Sequence, residues 1–476
     1  MPSITGAASK GRLKSTAQLS GPRAKRRNRF AGPLRGLTKR IVLRAINSLK
    51  PFPKNPRRHS EAQIAALMKG IKRTWTIPIL IDDDGTILAG HLRLEVAKRL
   101  GMTKVPTIMI IGLSEAEKRA IVIADNRIPE QAVWDLDLLR EHFVELIEVD
   151  FDVELTGFST GETDLILDGR SSQQATDPAD DFNEFTLGGP AISRLGDVWQ
   201  LGRHRLLCGS ALDSSSYQLL MPGEVAQMMV ADPPYNVPIA GRAMGRGKIR
   251  HRDFKQAAGE MSPTEFTDFL GRFSRLAIAV SQDGSIHYTF IDWRHLPELL
   301  NAAQPLYTEW KGLLVWNKSN AGQGSFYRSK HELILVFKNG TGRHINNFRL
   351  GANGRHRANV LDYPSVNGLH PARQGDLALH PTTKPLALIA DLIRDCSRRN
   401  GVILDPFGGS GTTVLASERT GRVARSIELD PLYVDVAIRR WEKITGVPAR
   451  HATSGLSFGQ VAAERGVING PNDPSE

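Results

Sequence analysis

The chain has 476 residues, 41% of them apolar and 24% charged, enough for two or three domains with proper cores. No apolar run approaches the roughly 18 residues that a membrane helix needs. The two cysteines, Cys208 and Cys396, are too few for a metal cluster or a disulfide framework, and are expected to be buried, reduced thiols. The net charge of +12 sits at one end: residues 1–60 carry 16 Lys and Arg and no acid, which leaves 46 basic against 50 acidic side chains elsewhere. The densest part is Arg23-Ala24-Lys25-Arg26-Arg27-Asn28-Arg29. Such a tail, taken as residues 1–40, is expected to be disordered and fits phosphate backbones through counterion release. A solvated arm without a partner and an organelle transit peptide are the competing readings.

A small α/β segment follows over 41–130. Ile79-Leu80-Ile81 and Thr86-Ile87-Leu88-Ala89 flank the acidic turn Asp82-Asp83-Asp84-Gly85, the pattern of a β-hairpin. Gly90 opens a helix over His91 to Leu100 that stops at Gly101, and Val105 to Ile111 reads as a strand. Residues 131–190 hold an amphipathic helix (Leu136, Leu138, Leu139, Phe143, Leu146, Ile147) and then a polar linker, Ser171 to Pro178. The second domain spans 191–449, and 450–476 reads as a loose end.

Two loops in the second domain carry chemistry. Asp232-Pro233-Pro234-Tyr235 follows the apolar run Gln227 to Ala231, and Asp405-Pro406-Phe407-Gly408-Gly409-Ser410-Gly411 follows Val402-Ile403-Leu404. Ligands of open α/β sheets bind beyond the carboxyl ends of strands, so both loops can face one crevice. The glycines permit close backbone approach, and the absence of Lys-Ser/Thr after Gly411 excludes a Walker loop. Alone, the turn fits a purely structural role. Glu428 lies 23 positions after Asp405 at the end of Val423 to Ile427, where an acid can hold ribose hydroxyls. Such an acid-lined pocket suits a sulfonium better than a pyrophosphate. Asp232 and a prolyl carbonyl can accept the two hydrogens of an exocyclic amine. The paired prolines stiffen the loop, and Tyr235 offers a stacking face for an extruded base. Alone, Asp-Pro-Pro-Tyr also fits a proline-rich turn after a strand. A third segment, His380-Pro381-Thr382-Thr383-Lys384-Pro385, leads into a helix over Leu386 to Cys396.

Together these segments resemble the β class of N6-adenine/N4-cytosine DNA methyltransferases, which place the catalytic loop before the cofactor loop. Leu201 to Gly209, Val315 to Lys318, Lys330 to Phe337 and Ile427 to Val434 extend the likeness over about 260 residues. The resemblance implies a Rossmann-like domain, a mostly parallel sheet with helices on both faces, that uses S-adenosylmethionine and no metal. It implies Asp232, Pro233, Pro234 and Tyr235 at the target base. It implies Asp405, Phe407, Gly409, Gly411 and Glu428 at the cofactor, with Lys384 near the methionine end. Ser210 stands where the family has an acid for the cofactor's adenine, a weaker hydrogen-bonding group, with Asp213 near enough to substitute. Asp-Pro-Pro-Tyr favours adenine, with N4-cytosine as the alternative. Arg242, Arg246, Lys248, Arg250 and Arg252, in a Gly-containing loop after the catalytic motif, are expected to bind the DNA backbone; a mobile surface loop is the other reading. Asn346-Asn347-Phe348-Arg349 and Arg355-His356-Arg357 are candidate base readers.

Asn55-Pro56-Arg57-Arg58, Gly90 to Gly101 and Ala124-Asp125-Asn126-Arg127 resemble a ParB/sulfiredoxin-type domain over about 90 residues. That likeness implies nucleotide binding at Gly90 and Arg93, at a helix start. His91-Leu92 departs from the usual Glu-Arg, and the segment has no cysteine for thiol chemistry. A docking or structural module is the alternative. The expected protein is thus a cytoplasmic DNA adenine methyltransferase acting on double-stranded DNA, with a homodimer and a restriction endonuclease partner left open. The contrasting reading is a non-catalytic ParB-like DNA-binding factor with a degenerate methyltransferase domain.

Overall fold

The computed structural model describes residues 40–53, 55–169, 180, 189–237, 257–319, 321, 326–348, 357–365 and 383–467. The basic tail up to residue 39, the polar linker at Ser171 to Pro178 and the five basic candidates Arg242, Arg246, Lys248, Arg250 and Arg252 lie outside these residues. No helix among the described residues is long and apolar enough to cross a membrane. The chain divides into two compact units, Met1–Val133 and Trp134–Glu476.

The first unit orders its elements as β1 (Val42–Ala45), α1 (Glu61–Arg73), β2 (Ile79–Ile81), β3 (Ile87–Ala89), α2 (His91–Arg99), β4 (Lys104–Met109) and α3 (Glu115–Arg127). The strands form one sheet in the order β1-β4-β2-β3. β2 and β3 are the expected antiparallel hairpin. Buried Asp82 fixes its turn by accepting from the backbone of Asp84 and Thr86. α1 and α3 start with reciprocal Ser–Gln and Ser–Glu capping boxes.

The second unit begins with α4 (Leu136–Glu148) and α5 (Thr160–Asp168) and continues through β5 (Val198–Leu201), β6 (His204–Cys208), α6 (Ser214–Leu220), β7 (Ala226–Ala231), α7 (Pro263–Ala279), β8 (Ser281–Ile291), α8 (Leu296–Ala303), β9 (Glu309–Asn317), β10 (His331–Lys338) and β11 (Val360–Asp362). It closes with α9 (Leu386–Cys396), β12 (Val402–Asp405), α10 (Thr412–Thr420), β13 (Val423–Glu428), α11 (Pro431–Thr445), β14 (Arg450–His451) and α12 (Phe458–Glu464). Among the described residues ten strands lie in the order β11-β9-β10-β8-β7-β12-β13-β6-β5-β14. The five central ones, β8 to β6, are mutually parallel, and antiparallel β10 and β5 flank them.

Both faces of the central strands are covered, as parallel sheets require. Met228, Val230 and Ile403 point to one core with α9, α10 and α11, and Met229, Ala231 and Leu404 to the other with α6, α7 and α8. The continuous apolar runs that mark β7 and β12 in the sequence follow from this two-sided burial. The fold is therefore α/β and Rossmann-like, with a smaller α/β unit before it.

Residues 131–190 hold the helices α4 and α5, which group with the second unit. Asp164 of α5 takes a bidentate pair of bonds from fully buried Arg422 (3.0 and 2.8 Å), and Asp168 pairs with Arg394 at 2.6 Å. The end from 450 was expected to be loose. Residues 450–467 are instead built in: β14 pairs with β5, and Phe458 and Val461 of α12 join the core beside Trp199. The apolar spacing of that short helix is hidden among Gly and polar residues. Both cysteines are buried and neither is in a disulfide, as expected.

Candidate active site

The order of the central strands puts β7 and β12 side by side, with Met228 opposite Ile403 and Met229 opposite Leu404. Asp232 follows directly on β7 and Asp405 ends β12, so the two loops leave the sheet at neighbouring points. β13 lies on the other side of β12 and ends at Glu428, opposite Cys208 of β6. Asp232, Asp405, Glu428 and the Ser210 turn thus share the carboxyl end of the central strands.

Glu428 organises the glycine loop. Its Oε2 accepts from Gly409 N at 2.8 Å and its Oε1 from Asp430 N at 2.7 Å. Gly411 has φ +83°, and any Cβ there would stand 2.7 Å from the Ala437 Cβ, so only glycine fits between this turn and α11. Buried Arg440 supports the turn from behind by donating to the Ser410 carbonyl. Asp405 accepts from Phe407 N at 2.9 Å. Burial, with further negative charge nearby, pushes Asp405 and Glu428 both up to about 7. Two such carboxyls, reluctant to ionise alone, suit a ligand that brings a cation and hydroxyl donors. This donor set fits S-adenosylmethionine and repels a pyrophosphate. The Phe407 ring is half-buried against Phe273 (4.9 Å, edge-on) and Phe269 (6.0 Å) of α7, so packing fixes it at the crevice. Ser210 accepts from Leu212 N at 3.1 Å in the turn after β6. Asp213, the suggested substitute, faces Arg272 of α7 at 3.6 Å.

Lys384 stands beside the catalytic loop: its ammonium lies 2.5 Å from Asp232 Oδ2 and 3.2 Å from Glu332 Oε2. Tyr235 donates to Asp232 Oδ1 at 2.5 Å and stands 3.4 Å from Glu332 Oε2. Glu332 also pairs through Oε1 with Lys318. Burial pushes Asp232 up, as does the Glu332 charge, against the pull of the Lys384 ammonium. For Glu332 the two lysines win and its carboxyl is held low. Burial beside two carboxylates keeps the Tyr235 hydroxyl protonated and therefore a donor.

Sequence reasoning missed Glu332 and Lys318 as site residues. Their signal was an acid at the head of the apolar run Leu333 to Phe337, a place where a buried carboxylate needs a partner. Two expected base readers have structural work instead. Asn347 donates to the carbonyls of Arg394 and Ser397, and Arg357 pairs with Asp391 and Asp395 at 2.9 Å each. Arg349, Arg355 and His356 lie outside the described residues.

In the first unit, Gly90 caps α2 in the left-handed region (φ +101°), which places Arg93 in the first turn of the helix. His91 accepts from Phe52 N at 3.2 Å, so the residue that departs from the ParB-type box ties the start of α2 to the segment around Phe52. Burial lowers the Arg93 guanidinium, with Asp125 opposing.

A family model described as DNA methylase matches residues 226–439, and one for the ParB-methyltransferase HTH domain matches residues 137–195, which hold α5 and all but the first residue of α4. The ParB-like nuclease domain-containing protein YnaK of Escherichia coli (strain K12) is 43% identical over 81 residues, 17% of this chain and 93% of that protein. The type II methyltransferase M.ScaI of Streptomyces caespitosus is 24% identical over 294 residues, 55% of this chain and 91% of its own. The DNA adenine methyltransferase YhdJ of E. coli is 25% identical over 245 residues, 46% of this chain and 77% of its own.

Proposed function

Because the chain belongs to the N6/N4 DNA methyltransferases and carries a ParB-like N-terminal region, we propose that it methylates the exocyclic N6 of adenine in double-stranded DNA. The observation that carries this reading is the adjacency of the Asp232–Tyr235 loop and the Asp405–Gly411 loop at the ends of neighbouring parallel strands. S-adenosylmethionine, when bound, supplies an electrophilic methyl group. Asp405, Glu428, the Gly409–Gly411 turn, Phe407 and Ser210 are the residues that would hold it.

The rest falls to the catalytic loop. An adenine amine is a poor nucleophile because its lone pair is spread into the ring. Asp232 and the Pro233 carbonyl each accept one of its hydrogens, which draws the nitrogen towards tetrahedral geometry and localises the pair. Pro233 and Pro234 lack N–H groups, so neither backbone position competes as a donor for these acceptors. Tyr235 supplies a face for an extruded base. Asp232 stands ready to receive the proton that the methylated nitrogen must lose. Positioning and preset acceptors, rather than a covalent intermediate, supply the rate. The Asp-Pro-Pro-Tyr wording of the loop and the likeness to YhdJ support adenine over cytosine.

The test is nucleoside mass spectrometry of mixed-sequence duplex DNA after incubation with the protein and S-adenosylmethionine. N6-methyladenine is expected. N4-methylcytosine would keep the chemistry and overturn the base. Cofactor binding with neither product would favour a DNA-binding factor that has lost transfer.

A further inference from the structure

Both oxygens of Asp232 are already engaged. Tyr235 holds Oδ1 at 2.5 Å and Lys384 holds Oδ2 at 2.5 Å. A carboxylate oxygen can accept two bonds, so an incoming amine either shares an oxygen with the donor already there or takes that donor's place, and only the second gives it an undivided acceptor. Lys384 is the costly one to move, since it also lies 3.2 Å from Glu332 and its side chain is only 5% exposed. Its departure would leave two carboxylates facing each other. The tyrosine hydroxyl has somewhere to go: Glu332 Oε2 is only 3.4 Å away. Lys318 pins Glu332 from its other oxygen.

We propose that Glu332 is a positioning residue of the transfer reaction, which accepts the Tyr235 hydroxyl as the base amine takes Oδ1 of Asp232 and keeps Lys384 on Oδ2 throughout. The inference rests on the amino-methyltransferase reading above. Until the base arrives, the hydroxyl is a place-holder for the amine. Moving it by about one ångström opens the acceptor without uncovering a buried charge, and it leaves the ring to stack on the base.

The groups facing Asp232 are Lys384 from the lead-in to α9, Glu332 from β10, Tyr235 from its own loop and Asp405 from β12; Lys318 stands behind Glu332. Glu332 opposes ionisation of Asp232 and Lys384 favours it. Neutralising Glu332 must then shift the acidic limb of the rate profile to lower pH, even while the rate falls.

The experiment compares the full-length protein with Glu332→Gln, Tyr235→Phe and the double variant on mixed-sequence duplex DNA, as kcat and KM between pH 5 and 9. S-adenosylmethionine binding reports folding. Glu332→Gln is isosteric and leaves Lys384 on Asp232, so cofactor affinity is expected to stay within about threefold. Its kcat is expected to fall at least tenfold, with the acidic limb of kcat/KM moved to lower pH. Tyr235→Phe alone is expected to lower KM for DNA, since the amine meets no competitor. In that background Glu332→Gln should cost much less than tenfold. A merely structural Glu332 would leave the pH limb in place and cost the same in both backgrounds, which would overturn the proposal. So would an unchanged or raised KM in Tyr235→Phe. If the unmodified protein methylates no DNA, the underlying reading fails and takes this one with it; if it does, and Glu332→Gln matches it, only the positioning role fails.

Discussion

Replacing Asp232 by alanine leaves the Lys384 ammonium 3.2 Å from Glu332, so the removal strands no buried charge. The variant should therefore fold. It lacks the main acceptor for the amine, and loss of a preset electrostatic interaction of this kind costs on the order of 10²–10³ in rate. Transfer of labelled methyl to DNA should fall by at least that factor, while calorimetry shows cofactor affinity within about threefold of the parent. Joint loss of both in a folded variant would show that Asp232 serves the cofactor loop instead. The two carboxyls of the candidate cofactor pocket give a second prediction. Asp405 and Glu428 are raised to about 7, so in the ligand-free protein they contribute stability that is complete below pH 4 and is lost as pH rises through 7. A sulfonium ligand prefers them ionised. Its affinity should rise from pH 6 to 8, by up to about tenfold per pH unit at the acidic end for each carboxyl that must ionise, with release of protons. S-adenosylhomocysteine carries no sulfonium charge and should show a weaker dependence. Equal slopes for the two ligands in calorimetry at several pH values would remove the carboxyls from the cation's surroundings. These two acids and Asp232 were legible in the sequence because each ends an apolar strand. The partners of Asp232 were not: Lys384 is 152 positions away and Glu332 is 100, and only the strand order brings them together.

At the scale of elements, periodicity exposed what two-sided burial imposes. β7, β12 and β13 appear as apolar runs, the β2–β3 hairpin as two such runs about an acidic turn, and α9 with the limits expected of it. What stayed hidden is anything fixed by distant charge. α5 looks like part of a free-standing segment, yet its Asp164 lies 2% exposed against Arg422, which is 0% exposed. Arg422 also donates to the Thr420 and Ser397 carbonyls, so removing its carboxylate strands a fully buried guanidinium. Asp164→Ala should destabilise the second unit by about 3–5 kcal/mol, the usual cost of breaking a buried pair. Pairing Leu at 164 with Met at 422 should recover part of that, because neither charge then remains. Denaturant midpoints for the single and the double variant check this. A single variant that unfolds like the parent would mean that α5 adds nothing to the fold of this unit.

The whole molecule divides after Val133, not at the start of the catalytic sheet. Charge follows the same division: the positive excess belongs to the first 60 residues, and everything beyond them is slightly acidic overall. A fragment of residues 134–476 keeps the Asp164–Arg422 and Asp168–Arg394 pairs, the crevice and the C-terminal elements β14 and α12. It should bind S-adenosylmethionine with the affinity of the full chain. It should also transfer methyl to DNA, but with an elevated KM and a shallower salt dependence. The 16 basic side chains of residues 1–60 are gone, and each phosphate they no longer neutralise takes nearly one unit off the log–log slope. A fragment of residues 191–476 follows the boundary that the sequence suggests. It leaves Arg422 buried without Asp164, and Leu386 at the head of α9 without the Asp180 carboxylate that caps it. Its thermal midpoint should drop well below that of 134–476, with cofactor binding weakened alongside, because α9 and β13 bound the crevice. Scanning calorimetry of the two fragments with and without cofactor separates these cases. Equal stability would place α4 and α5 outside the catalytic unit. A loss of cofactor binding already in 134–476 would instead make the N-terminal unit part of the machinery.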